Sequence, residues 1–257
     1  MSDTVPVFAT PSPRVRLVPV DRPWHWLGRG WRDLTEVPGI CLAYGAILVG
    51  VSFLLTLGLW LAGLPYLVLP LAAGFMFVAP VLAVGLYEVS RRRETGPAPT
   101  LVEAALAWRR NPLQIALAGL ILMLFHLAWV RIATLLFALF FADTSPSLEK
   151  LIDTVLFSGT SLVFLVVGTA IGGFLAAVVF AIAAISIPML LDRDIGVASA
   201  IATSVTAVTL NWRPMALWAA LIVLFIALGL ATLFLGLAVA LPLIGLATWH
   251  AYRDLVE

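Results

Sequence analysis

The chain has 257 residues, of which 62% are apolar and only 11% charged, with a formal net charge of +1. A soluble domain carries about 25% charge, and surface-to-volume scaling would leave too much of this apolar surface in water, so the composition excludes a water-soluble globule. One cysteine, Cys41, excludes an intramolecular disulfide and any CxxC metal or redox centre.

Residues 1–22 read as a disordered cytoplasmic tail, because Pro6, Pro11, Pro13 and Pro19 interrupt any helix. No hydrophobic leader precedes the first apolar run, so the first span is expected to act as the insertion signal. An interfacial helix is predicted at about 23–35. Trp24, Leu27, Trp31 and Leu34 share one face, with His25, Arg29 and Arg32 turned away. An indole prefers the headgroup level, ring in the apolar edge and N–H toward water.

Span one follows over Val37–Gly63, Leu64-Pro65 turns, and span two runs to Tyr87. A polar inner stretch, Glu88–Asn111, holds Arg91-Arg92-Arg93. Thr100 and Glu103 there have capping-box spacing ahead of a helix Leu101–Arg110. Pro112 opens span three, which contains His126 and Arg131 and continues to Ala142. The chain then makes a polar outer connection Asp143–Lys150 and a short amphipathic piece Leu148–Phe157. Span four lies in Ser158–Leu191 and is rich in small residues, which place it centrally in the bundle. A weakly amphipathic inner segment, Val197–Leu210, leads to Asn211-Trp212-Arg213-Pro214.

Arg213 to Arg253 encloses 39 uncharged residues. Two spans need about 40, so a hairpin around Gly236 fits; one very long helix, leaving five spans, is the alternative. Two echoes favour the hairpin. Pro80 precedes Tyr87-Glu88 and Arg91 at the offsets by which Pro242 precedes Trp249-His250 and Arg253. Trp108-Arg109-Arg110-Asn111-Pro112 resembles Asn211-Trp212-Arg213-Pro214. The expected fold is therefore an all-α, polytopic transmembrane bundle over 23–257. It has six spans (alternatively five), built from decayed repeats of a helical hairpin and an amphipathic inner helix. Arginines crowd the tail, the 91–110 stretch, Arg193, Arg213 and Arg253, and the positive-inside rule then puts both ends in the cytoplasm of a bacterial inner membrane.

A second set of residues carries a resemblance. It comprises Trp31, Asp33, Tyr44-Gly45, Pro80, Gly85-Leu86-Tyr87-Glu88, Ser90-Arg91-Arg92, Glu94, the Gly96-Pro97-Ala98-Pro99 turn and Arg131-Ile132. Leu139-Phe140-Phe141, Pro188-Met189-Leu190-Leu191-Asp192-Arg193, Ala200, Ser204 and Asn211 complete it. Over about residues 25–255 the chain resembles the bacterial DUF2189 membrane proteins, a family without an established activity, some of whose members carry the loose description of cytochrome c oxidase components. The histidine set of an oxidase catalytic subunit is missing, so the resemblance implies at most an accessory role.

Few residues could carry chemistry. Arg131 would cost about 2.5–3.5 kcal/mol at mid-membrane. It is expected to snorkel outward or pair with Asp143 or Glu149, or else to bind an anionic headgroup or solute. His126 is read as a bundle histidine bonded to a carbonyl or hydroxyl, or as a proton relay or haem ligand. Its depth differs from that of His250, which argues against joint haem ligation. Glu88, Asp192, Asp194 and His250 sit at inner span ends, as salt-bridged interface groups or as an ion or proton site. Arg91, Arg92 and Arg93, with Trp24 and Trp31, suit topology and anionic lipid. Pro70, Pro80, Pro188 and Pro242 mark kinks. No Walker A, HExxH, GxSxG or GxGxxG pattern occurs in suitable context. The expectation is a non-catalytic protein with no catalytic residue, metal or cofactor. It acts as an accessory or assembly factor of a membrane complex, respiratory among the options, or alternatively as a small-solute transporter or channel. The bilayer and other membrane subunits are its partners, and nucleic acid is not.

Overall fold

A computed structural model describes residues 13–64, 67–141 and 161–257. They are helical, apart from turns, short connections and one isolated bridge, Val15 to Val256. The helices are α1 (Arg22–Glu36), α2 (Pro38–Leu61), α3 (Val68–Leu82), α4 (Val84–Arg93), α5 (Leu101–Ala105) and α6 (Pro112–Phe140). They continue with α7 (Ser161–Ala183), α8 (Ser186–Asp192), α9 (Val197–Leu210), α10 (Trp212–Ala231) and α11 (Leu237–Leu255). Proline begins α2 and α6, where its missing N–H costs nothing. The predicted capping box forms at Thr100, and the helix behind it runs as α5 and then a 3-10 turn, Ala107–Arg110. Gly63, at φ +72, ends α2 in the left-handed conformation a side chain resists.

Five helical stretches are long and apolar enough to cross a bilayer: Pro38–Leu61, Pro70–Arg93, Pro112–Phe140, Leu162–Asp192 and Trp212–Ala231. The outer connection and the Leu148–Phe157 piece lie outside the described residues. The single long helix considered for 213–253 does not form. Thr232 instead donates to Gly229 O (2.8 Å) and accepts from Gly236 N (2.7 Å), closing a tight turn between α10 and α11. Every residue from Ala240 to Tyr252 is buried. A helix without a polar face belongs inside a bundle, and α11 is this protein's central element.

The elements form three consecutive units, each a short helix followed by a hairpin: α1 with α2 and α3–α4, α5 with α6 and α7–α8, α9 with α10 and α11. Each short helix packs on the second arm of the preceding unit: α5 on α4, α9 on α8 and, closing the ring, α1 on α11. First arms follow the same rule in two places, α2 against α11 and α6 against α3. At the third, α10 and α7 do not pack closely backbone to backbone. Small residues permit the close approaches. A Cβ on Gly45 would lie 2.2 Å from Ala238 O, and one on Gly30 would lie 2.7 Å from Ala247 N.

Two expectations need correction. Residues 1–12 lie outside the described residues, but 14–18, assigned to the disordered tail, run extended beside the end of α11. Arg16 N donates to Leu255 O and Glu257 N to Arg14 O, while Asn211 holds Val18 N and Arg16 O. The face assigned to α1 also divides. Trp24 and Trp31 are exposed, whereas Leu27 and Leu34 turn inward with Trp26, which is fully buried. The side that meets α11 is Pro23, Trp26, Leu27, Gly30 and Asp33-Leu34, a stripe offset from the one the two exposed indoles suggested.

Candidate functional site

At one end of the bundle the arms α4, α8 and α11 pack against one another and bring the predicted polar residues Glu88, Asp192 and His250 into one region. Glu88 is buried beside the last turn of α4. It accepts from Arg91 Nε (2.7 Å) and Nη2 (2.9 Å) and from Arg92 Nε (2.9 Å), and Arg92 reaches on to Glu103 (3.1 Å). The three arginines also sit where the helix dipole favours cations. Asp192 accepts from the Tyr252 hydroxyl (2.7 Å), which in turn accepts from Arg193 Nε (2.9 Å). Arg253 lies 3.5 Å from Asp192 and 3.1 Å from Glu94.

His250, the third of these inner acceptors and donors, is bonded through Nε2 to Asp33 Oδ2 at 2.8 Å. Asp33 also accepts from Ser90 Oγ (2.5 Å) and Arg93 Nε (3.3 Å), and Arg93 pairs with Glu36. Burial would raise the Asp33 carboxyl, but the hydrogen bonds from His250, Ser90 and Arg93 outweigh it and hold the group below the usual carboxylate range. Glu88, Asp192 and His250 are thus neighbours by element, yet each is satisfied in its own network. Asp33, Tyr252 and Glu94 complete those networks and were not among the sequence candidates. The Asn-Pro echo was the available signal for two more: Asn111 Nδ2 reaches Leu190 O in α8 and Ile195 O beyond it, as Asn211 holds the segment before α1. Among the described residues no group of three His, Cys, Asp or Glu side chains could hold a metal ion.

The mid-span candidates separate. His126 packs on Gly74 of α3, where a Cβ would come within 2.5 Å of its Nδ1, and among the described residues that buried nitrogen has no hydrogen-bond partner. Arg131 is exposed five residues further along α6 and, among the described residues, has no partner.

Two spans are broken. After Leu82, Leu86 N and Tyr87 N both turn to Ala83 O (2.9 and 3.0 Å), and Tyr44 of α2 donates its hydroxyl to Leu82 O at 2.6 Å. Gly85 makes room for the Tyr44 ring, which a Cβ there would meet at 2.5 Å. After Ala183 a hydroxyl enters the ladder itself. Ser204 of α9 accepts from Ile185 N (3.2 Å) and donates to Ala181 O (2.7 Å), the pair an unbroken helix would join directly. Pro188 explains the position, since its ring opposes the carbonyl four residues back, at Ala184.

Both breaks carry the sequence patterns singled out above, Gly85-Leu86-Tyr87-Glu88 and Pro188-Met189-Leu190-Leu191-Asp192. Residues 68–192 match the DUF2189 family. Its description is predicted integral membrane protein, which agrees with the five apolar stretches of the fold. The DUF2189 match covers α3 to α8, a narrower range than 25–255, and so takes in both broken spans but not α1, α2 or the third unit. No curated protein and no solved structure matches the chain.

Between the two breaks lies a cavity of about 130 Å³. Its wall includes Pro80 and Ala83 of the first break, Ala183 and Ala184 of the second, and Trp218 and Ile244 from the third unit. The Thr248 hydroxyl in the wall is bonded to Ile244 O (2.7 Å). The indole Nε1 of Trp218, a fully buried residue, has no hydrogen-bond partner among the described residues.

Proposed function

We propose that this protein is a six-span, non-catalytic accessory or assembly factor of a bacterial inner-membrane complex, with both described ends of the chain in the cytoplasm. The observation that carries the reading is the mutual satisfaction of the inner charges. Glu88, Asp192, Asp33, Glu94 and Asp254 are all bound by arginines, tyrosine, tryptophans or histidine of the same chain. Charges consumed in this way hold a shape, and none of these five carboxylates is left without a partner.

Parity supports six crossings. Arg22 pairs with Asp254 through both carboxylate oxygens, and Val15 bridges to Val256, so the chain between them crosses the bilayer an even number of times. On this reading α11 is the sixth crossing beside the five apolar stretches, and its 19 helical residues reach about 28 Å. Arg91–Arg93, Arg109, Arg110, Arg193 and Arg213 share the side of those ends, which the positive-inside rule makes cytoplasmic. Cysteine placed at position 96 should be protected from an impermeant thiol reagent in intact cells; labelling there would reverse the orientation.

Broken spans also occur in transporters, where half-helix ends meet substrate, and this favours a second reading as a small-solute transporter. Here the space between the breaks is apolar, and His126 and Arg131 lie apart from it. Two experiments separate the readings. Purification in mild detergent should return the protein with a stoichiometric membrane partner, and isolation alone would count against an accessory role. Proteoliposomes that carry out saturable solute flux would favour the transporter.

A further inference from the structure

We infer that exposed Trp-Arg pairs, repeated at the start of each unit's first arm, form a docking surface for the phosphate headgroups of anionic phospholipids. Trp31-Arg32 lies near the end of α1, just before Pro38 opens α2. Trp108-Arg109 precedes Pro112, which opens α6, and Trp212-Arg213 opens α10. The three indoles are 51%, 44% and 62% exposed, and the arginines beside them are exposed as well. Short links hold the three starts at one end of the bundle: Arg110 Nε donates to Leu191 O, Asn211 Nδ2 to Arg16 O and Trp26 Nε1 to Asp254. Each pair therefore stands where an apolar stretch begins, the level at which an indole settles and a lipid phosphate lies.

The arginines at this end divide into two sets. Arg91 and Arg92 are bound to Glu88, Arg93 to Asp33 and Glu36, Arg22 to Asp254 and Arg253 to Glu94. The Arg91–Arg93 cluster that the sequence pointed to for lipid thus faces carboxylates of its own chain. Arg29, Arg32, Arg109 and Arg213 make no side-chain hydrogen bond or ion pair among the described residues. Arg29 acts on Asp254 only at longer range, and Arg22 and Trp26 already hold that carboxylate. Against these four stand two exposed carboxylates that also form no ion pair, Asp21 and Asp194. A positive surplus is left for an anion to neutralise.

Two of the pairs are also stacked. Arg213 Cζ lies 5.1 Å from the centroid of the Trp212 ring, and Arg109 Cζ lies 5.8 Å from that of Trp108. A guanidinium over a ring keeps its N–H edge free, and that edge matches two oxygens of a phosphate. The ring holds the charge at headgroup depth. A headgroup with net negative charge is favoured over phosphatidylcholine, whose own ammonium offsets its phosphate. Such contacts require only the spans that begin at Pro38, Pro112 and Trp212, so they stand under either functional reading and on either face of the bilayer.

The test is native mass spectrometry of the full chain in detergent micelles, titrated with phosphatidylglycerol or with phosphatidylcholine of the same acyl chains. The native protein should bind phosphatidylglycerol the more tightly. Arg29→Gln, Arg32→Gln, Arg109→Gln and Arg213→Gln together should weaken phosphatidylglycerol roughly fivefold per site and leave phosphatidylcholine unchanged. The matching four Arg→Lys substitutions keep the charge and should fall between native and the glutamine variant. Trp108→Leu with Trp212→Leu should lower the preference about twofold to fivefold. Inorganic phosphate at the same concentration should not displace the lipid. Headgroup recognition is overturned if the native protein shows no preference, if the lysine variant binds no better than the glutamine one, if the tryptophan variant binds as native does, or if inorganic phosphate displaces the lipid. It is equally overturned if the glutamine variant keeps the native preference, and the free arginines would then face an acidic partner subunit.

Discussion

Gly45 and Gly50 lie five residues apart on α2, and replacing each with alanine should change stability in opposite directions. A Cβ at Gly45 would stand 2.2 Å from Ala238 O and 2.8 Å from Ala238 C, backbone atoms of α11. Ordinary contact needs about 3.4 Å or more, so α2 and α11 would have to separate by about 1 Å. Packed interiors resist such shifts, and overpacking costs typically about 1–3 kcal/mol. At Gly50 nothing lies within 4 Å, and alanine gains roughly 0.5–1 kcal/mol of helix propensity and backbone entropy. For a chain of this size 1 kcal/mol is about 2–4 °C. Thermal unfolding in mild detergent should therefore place Gly45→Ala several degrees below the native protein and Gly50→Ala one to four degrees above it. Equal melting temperatures for the two variants would refute the packing of α11 against α2.

Three further perturbations probe the breaks and the charges. Ser204→Ala should lower stability by about 1–3 kcal/mol in the same melt, because Ile185 N and Ala181 O lose the hydroxyl between them and stay buried; a neutral result would mean the helix simply recloses. Asp33→Asn should cost about 2 kcal/mol at pH 7 through weakened bonds from His250, Ser90 and Arg93. A depressed carboxylate stabilises above its ordinary range and loses that contribution as pH falls through its folded value, so a pH series of melts should show the gap to native protein closing below about pH 4. Arg131→Ala should change stability by less than about 0.5 kcal/mol, since the side chain is exposed and, among the described residues, unpartnered; a large loss would reveal a partner.

What could be read in advance was local. Apolar runs, the Thr100 capping box and the helix-starting prolines placed most helices, and the Asn-Pro echo hinted at the repeated units. The breaks were foreseen as kinks at Pro80 and Pro188, but one falls at Ala83, where the freed carbonyl depends on Tyr44. The other is completed by Ser204 from a helix formed later in the chain. Pairings such as Asp33 with His250 span 217 positions, and no local pattern distinguishes Asp33 from any other interface acid. Trp26 and Trp24 are likewise equivalent by composition. Only the direction from which α11 arrives makes one fully buried and leaves the other exposed.

The closure of α1 on α11 has a consequence for how the molecule is made. Arg22 and Asp254 are 232 positions apart, and at roughly 5–20 residues per second the ribosome needs on the order of 10–50 s to supply the second after the first. Through that interval the stripe holding Trp26 and Leu34 has no protein to cover it and rests on the lipid surface or a chaperone. Assembly therefore finishes at the membrane after synthesis has passed α11, and a chain cut short before that helix would display an uncovered greasy stripe that quality-control proteases can recognise.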